Sequence, residues 1–331
     1  MDATRERLVK PPTQPVAGSR RKQRPKAQTD LEYFATRFIL GFLGLLPRPA
    51  AIAVGCGFGR LAFTVFGRLR RVAQINLRLA FPDKTDAERE QIIRGVFLSL
   101  GRQLGEFSQL SKATPESLRE FLEYAPESIK HLEEVQSQGK GIIFLSGHLG
   151  SWELLGFGHG ALSRPMNFMA RPLDNYRIEE MVKAIRTRLG NRFIDKKVAA
   201  RAALKALREG GTLGILADLN SQTHEGVFVP FFGHLACMTT GVATLALRTD
   251  AIVMPLWAIW DHERRKYVIY AEQPVQLVRT GDEKQDIIVN TARFASEIES
   301  MIRRFPDQWM WIHRRWKTRP PGEPDLYKTS K

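Results

Sequence analysis

Residues 147–153 read GHLGSWE and set His148 five residues before Glu153. In such a pair an imidazole takes a proton while a carboxylate fixes its tautomer. Gly147 and Gly150 permit a tight turn and close approach of a substrate. With a helix starting near Gly150, Glu153 lies in its first turn and can fold back onto one ring nitrogen of His148. No G-x-S-x-G elbow accompanies the pair, so the chain offers a base without its own nucleophile. That suits direct attack by a hydroxyl of the substrate. A histidine and a glutamate at this spacing also occur as a satisfied surface pair, and the surrounding elements must decide.

Those elements alternate short apolar runs with amphipathic stretches. The pattern predicts strands at 141–146, 166–170, 212–217, 251–260 and 266–271, and helices at 85–110, 115–137, 150–162, 175–189, 198–209, 239–249 and 286–305. This is an α/β fold with a largely parallel central sheet flanked by helices. In such sheets the ligand crevice lies beyond the carboxyl ends of the strands. Three predicted strands run there into polar residues: 141–146 into Gly147-His148, 166–170 into Arg171, and 212–217 into Asp218-Leu219-Asn220. A shared site explains the coincidence.

The 331 residues carry 50 Lys and Arg against 35 Asp and Glu, a formal charge of +15, and 43% are hydrophobic. Collagenous, low-complexity and fully disordered chains are excluded. The charge points to an anionic partner: nucleic acid, an acidic membrane, or a phosphorylated or acidic-carrier-bound substrate. Cys56 and Cys237 stand alone in apolar stretches, so neither a disulfide framework nor a metal site is expected.

Residues 1–30 hold eight basic residues against three acids and read as a disordered basic tail. From 33 to 82 no acid occurs, while seven arginines punctuate two apolar runs. Neither run reaches the ~18 to 20 apolar residues of a spanning helix. Residues 31–82 are therefore expected to form a membrane-associating helical region, one span or a shallow hairpin, with an ordinary buried helical hairpin as the alternative. The positive-inside tendency places both basic flanks on the cytoplasmic side. A secretory signal is not expected, because the apolar run starts too far in. Residues 83–331 form the α/β domain with its helical lead-in.

Near the C-terminus, Trp309, Trp311 and Trp316 interleave with His313, Arg314, Arg315 and Lys317. Such a block can stack on nucleic acid bases or sit among lipid headgroups. The tail lacks interleaved aromatics, and no helix-turn-helix, zinc-finger or RNA-recognition signature follows it, so a nucleic-acid partner is not expected.

GHLGSWE, RPLDN (171–175), GILADLN with GVFVPFFG (226–233), AIVMP and PDQWMWIHRRWKTRP (306–320), together with the upstream NLRLAFPD (76–83), occur in this order and resemble the successive blocks of the lipid A biosynthesis acyltransferases. These late lauroyl and myristoyl transferases belong to the wider lysophospholipid acyltransferase superfamily. The resemblance runs from about residue 31 to 327. It implies an H-x-x-x-x-D/E acyltransferase needing no cofactor, with His148 as general base and Glu153 as its partner. The implied donor is an acyl thioester on acyl carrier protein, and the implied acceptor a hydroxyl of an acylated, phosphorylated glucosamine disaccharide. The implied location is the cytoplasmic face of the inner membrane. Arg171 then serves the oxyanion or a substrate phosphate, with a salt bridge to Asp174 or a helix terminus as the alternative. Asn175 and Asp218 carry over as substrate-binding residues, whereas Leu219 departs from the family pattern and leaves Asn220 in doubt. Phe232 and Gly233 match an acceptor-binding block, although two phenylalanines after a proline equally suit core packing. Block order makes Arg314, Arg315 and Trp316 structural support with headgroup contact, and His313 structural or phosphate-facing. Alternatives are a related enzyme using acyl-CoA on another glycolipid or aminolipid, and a non-catalytic basic membrane- or nucleic-acid-binding protein.

Overall fold

The computed structural model describes residues 25–168, 173–194 and 199–328. Four helices come first: α1 (Lys26–Leu45), α2 (Arg48–Val65), α3 (Gly67–Ala80) and α4 (Asp86–Gln109). Then follow α5 (Pro115–Arg119), β1 (Leu122–Tyr124), α6 (Pro126–Ser137), β2 (Ile142–Ser146), α7 (Trp152–Leu162), β3 (Asn167–Phe168), α8 (Tyr176–Thr187) and β4 (Arg192–Phe193). The chain continues through α9 (Ala199–Arg208), β5 (Thr212–Leu216), β6 (Gly226–Phe231), β7 (His234–Thr239), α10 (Gly241–Thr249), β8 (Ile252–Asp261), β9 (Lys266–Ala271) and α11 (Glu283–Arg304).

Seven strands form one sheet in the order β1-β9-β8-β2-β5-β3-β4, parallel at every pair except β8–β9. The expected largely parallel α/β sheet is present. Side chains of β2 alternate between two cores: Ile143 and Leu145 pack on the α10–α11 face, Ile142 and Phe144 on the α7 face.

Local chemistry sets the helix boundaries. Thr85 and Glu88 close a capping box at the start of α4. The single helix expected over 115–137 is broken, because Ala125 precedes a proline and takes an extended conformation. Pro126 then occupies the first turn of α6, and residues 122–124 pair with β9 instead. The segment 226–239 is a hairpin outside the main sheet, which the sequence pattern did not predict.

The front is continuous with the rest. α1 begins at Lys26, so the last residues assigned to the tail are helical, and Asp30 pairs with Arg177 of α8. Residues 1–24 of that tail lie outside the described residues. α3 buries Val72, Ala73 and Leu77 in the core shared with the C-terminal tryptophans. α2 meets α4 through Gly55, Gly59, Gly101 and Gly105, whose backbones touch directly. Among the described residues no single helix is long and apolar enough to cross a membrane; α2 with α3 has the length and composition but bends by 85°. Leu31, Phe34, Phe38, Phe42 and Leu45 form an exposed apolar stripe along α1.

Candidate active site

Adjacent parallel strands β2 and β5 pair Ser146 with Leu216, so the residues just beyond them meet. His148 Nδ1 lies 2.9 Å from Asp218 Oδ1, and the His148 backbone N–H donates to Asp218 Oδ2 at 2.7 Å. The Trp309 indole N–H donates to the same Oδ2 at 2.8 Å. A Cβ at Gly147 would stand 2.8 Å from the Asp218 carboxyl carbon, so only glycine lets the two loops approach this closely. Asp218 is fully buried. Burial alone would raise its pKa, but the charge of His148 and hydrogen bonds from its ring, its amide and Trp309 prevail and hold the carboxyl below its ordinary value.

The loop carrying His148 is stitched on both sides. Met310 N–H donates to His148 O at 3.0 Å, Gly150 N–H to Gln308 O at 3.1 Å, and Ser151 N–H to Ala258 O at 2.8 Å. Gly150 has φ +62°, and a Cβ there would stand 2.0 Å from Ala258 O. The His148 ring packs on Trp152 at 4.9 Å between centroids and remains partly exposed. No hydrogen bond from a described residue occupies its Nε2, which leaves that nitrogen available to a substrate.

Several expected contacts are corrected. Glu153 does not touch the His148 ring: it sits in the first turn of α7 and faces α8, where Arg186 grips both its oxygens at 2.8 and 2.5 Å. Asp218, expected to face substrate, is the ring's partner instead. Asn175 caps α8 by accepting from the Arg177 and Ile178 amides and donates to Thr29 O at 2.7 Å, so it is a structural residue buried under α1. Phe232 and Gly233 form the two-residue β6–β7 turn, both with positive φ. Phe232 is buried against Phe81, Phe231 and Trp311, the packing alternative. Arg171 lies outside the described residues.

Trp316 and Arg315 are fully enclosed, which rules out headgroup contact by either side chain. Arg315 donates to Cys237 O at 2.8 Å and stacks on Phe231, and burial depresses its pKa to about 10. Arg314 is half-buried over the Tyr327 ring. Burial pushes His313 down to about 4, and its Nε2 accepts from the Asn220 amide at 3.3 Å. Asn220 also bonds Thr318 in both directions, a structural role.

Sequence reasoning missed three residues at the site: Trp309 as the clamp on Asp218, Arg186 as the partner of Glu153, and Asn76. The buried Asn76 amide donates to Trp311 O and His313 O at 2.6 and 2.7 Å and accepts from the Tyr327 hydroxyl, tying α3 to the tryptophan block. Only the ordered blocks singled out Asn76, since a lone asparagine in a basic helix reads as surface.

Beside the histidine, an apolar cavity of about 100 Å³ opens between α7 and the sheet. Phe144, Phe157, Met166, Phe168 and Leu256 line it, with Ser146, Trp152, Glu153 and Arg186 among its other walls. A Cβ at Gly156, on the same α7 face as Trp152 and Glu153, would meet no atom within 4 Å. The Ser146 hydroxyl is buried without a partner among the described residues. No group of His, Cys, Asp and Glu among the described residues has the geometry of a metal site. A carboxylate-held imidazole beside an apolar cavity can transfer a proton to and from a substrate whose hydrocarbon part is buried.

Residues 21–318 match the sequence model of the bacterial lipid A biosynthesis acyltransferases. The lipid A biosynthesis lauroyltransferase of Escherichia coli K12 is 30% identical over 311 residues, 92% of this chain and 99% of that protein. The palmitoleoyltransferase of the same organism is 29% identical over 299 residues, 89% and 95% of the two chains. Its myristoyltransferase is 25% identical over 270 residues, 82% of each. With nine-tenths of its length matched by one family, the chain is a member of the bacterial lipid A biosynthesis acyltransferases.

Proposed function

We propose that the protein moves a fatty acyl chain from a thioester on acyl carrier protein to a hydroxyl of an acylated, phosphorylated glucosamine disaccharide, the lipid A precursor. The observation that carries this reading is the His148 imidazole, held at Nδ1 by buried Asp218 with Nε2 open beside an apolar cavity. His148 Nε2 takes the proton of the acceptor hydroxyl as its oxygen attacks the thioester carbonyl. The tetrahedral intermediate collapses, the carbon–sulfur bond breaks, and the leaving thiolate takes that proton from His148. The acyl chain of the donor fills the α7 cavity, and the Ser146 hydroxyl stands ready to donate to the developing oxyanion. Glu153 acts by holding Arg186 in the wall of the cavity. Arg171, by its place in the family's block order, is a second cation for the oxyanion or a phosphate. The formal charge of +15 suits both an acidic carrier and an anionic lipid surface.

His148→Ala is expected to lower transfer by roughly 10²- to 10⁴-fold, the range for loss of a general base. Glu153→Ala, which takes from Arg186 both carboxylate oxygens it grips, is expected to lower it as well. Mass spectrometry of the acceptor after incubation with acyl carrier thioesters of several lengths reads the outcome and identifies donor and length together. Full turnover in both variants refutes the assignment.

The same reading places the protein on the cytoplasmic face of the inner membrane, held by the α1 stripe. Phe34 and Phe38 are 58% and 74% exposed, an unfavourable arrangement unless the face is covered. Replacing both with serine is expected to weaken binding to anionic phospholipid vesicles at least ~10-fold, given about 1.5–3 kcal/mol for burying one such side chain. Unchanged vesicle partitioning in a co-sedimentation assay counts against α1 as the membrane face.

A further inference from the structure

A second apolar groove lies on the other side of the same side chains. Leu100, Gln103, Leu104 and Phe107, one face of α4, line it together with Leu173 and Val182, while Trp152, Glu153 and Arg186 are shared with the α7 cavity. The Glu153–Arg186 pair is thus a partition between two apolar clefts, and Trp152, which packs on the His148 ring, borders both.

Gln103 supplies this groove with an amide, where the α7 cavity has the Ser146 hydroxyl. Gln103 is 7% exposed, and among the described residues neither its amide oxygen nor its amide nitrogen has a partner. An unsatisfied buried amide is destabilising, and leucine or methionine would fill the same helical position without that penalty. An amide can both donate to and accept from a ligand, which fits a chain carrying a carbonyl or hydroxyl near its head and not a plain hydrocarbon.

We infer that the α4 groove binds an acyl chain of the acceptor glycolipid, with Gln103 bonded to the polar atoms at that chain's head, while the α7 cavity takes the chain of the donor. This rests on the acyl-transfer reading above. It supplies what that reaction needs: two hydrocarbon chains must reach one imidazole from different directions, and two clefts separated by a fixed ion pair keep them apart.

The test compares three variants by acceptor and donor KM and by direct calorimetric binding of the hydroxyacylated glucosamine disaccharide phosphate. Gln103→Met removes the amide and keeps the volume. Leu104→Trp fills the groove. Gly156→Leu fills the α7 cavity instead. Gln103→Met is expected to raise acceptor KM at least 10-fold, to weaken acceptor binding equally, to leave donor KM unchanged and to raise the melting temperature. Leu104→Trp is expected to shift acceptor KM alone. Gly156→Leu is expected to shift donor KM alone and to favour shorter donor chains. Acceptor KM and binding unchanged in both groove variants, or a shift confined to the donor, overturns the inference. Should the wild type bind the glycolipid in a Gln103-dependent way yet transfer nothing to it, the groove assignment stands and the reaction assignment falls.

Discussion

Asp218→Asn is expected to lower acyl transfer by roughly 10³- to 10⁴-fold while the chain stays folded at neutral pH. The scale is that of the same change in the serine-protease triad, where asparagine leaves the geometry but enforces the wrong tautomer. Here two donors, the His148 amide and the Trp309 indole, converge on Oδ2, and Oδ1 faces His148 Nδ1. An asparagine has one oxygen to share among these three. Turning its NH₂ toward the amide and the indole would set donors against a donor in a fully buried site, so the oxygen stays there and the NH₂ faces Nδ1. His148 must then carry its proton on Nε2, the nitrogen that in the proposed reaction accepts one from the acceptor hydroxyl. A variant within 10-fold of wild-type kcat/KM, with an unchanged circular dichroism spectrum, removes Asp218 from the role assigned to it.

The same carboxylate makes stability depend on acid. Its pKa is held below the ordinary 3.8 in the folded state, so its contribution is fully present above that value and is lost as pH falls through the depressed one. Asp218→Asn lacks this contribution at every pH. Melting temperatures of the two proteins are therefore expected to lie furthest apart near neutrality and to converge below about pH 4, the ordinary carboxylate range.

Strand ends were the informative feature of the sequence. GIIFLS and TLGILA were readable as strands because each is short, apolar and bounded by turn residues, and the rule for parallel sheets then put His148 and Asp218 on one edge. Which carboxylate serves the imidazole was not readable. Glu153 is close along the chain, but the first turn of α7 aims it at α8, while Asp218, 70 residues away, arrives by strand pairing. Separation along the sequence says little about neighbours in a parallel sheet. In the tryptophan block the structural reading holds and the headgroup contact of Arg315 and Trp316 does not, for a related reason: Trp and Arg side chains have the same composition at a membrane surface and in a packed core, and here Trp309, Trp311, Trp316 and Arg315 are all fully enclosed. The strands of the 226–239 hairpin were not legible because its turn is Phe-Gly, not the usual Asn-Gly or Asp-Gly, and Phe232 is held at φ 51° by burial against three aromatic rings and by donation of its backbone N–H to Glu299 Oε2.

Gly101→Leu is expected to destabilise the fold by several kcal/mol and to leave much of the protein aggregated. In α2 and α4 the glycines recur four apart, Gly55 with Gly59 and Gly101 with Gly105, so that each helix presents a smooth backbone strip to the other. A Cβ at Gly101 would stand 2.2 Å from Gly55 O and 3.1 Å from Cys56 Cα, and one at Gly55 would stand 2.2 Å from Gly101 O. The obstructing atoms are backbone on both sides, so no side chain can swing away and the helices themselves must separate. Separation pulls Arg48 from Glu106, a carboxylate 2% exposed whose burial raises its pKa, and parts the Phe63 and Phe97 rings. Stripping the partner from a buried carboxylate alone costs about 3–5 kcal/mol. Gly57 supplies the control, because it lies in the same α2 run and a Cβ there meets nothing within 4 Å. Gly57→Ala is therefore expected to be neutral or to stabilise by up to ~1 kcal/mol through helix propensity. A melting temperature for Gly101→Leu within about 2 °C of wild type would mean that α2 is not held by this contact, and that its exposed Phe58, Leu61 and Val65 are not fixed in place by α4.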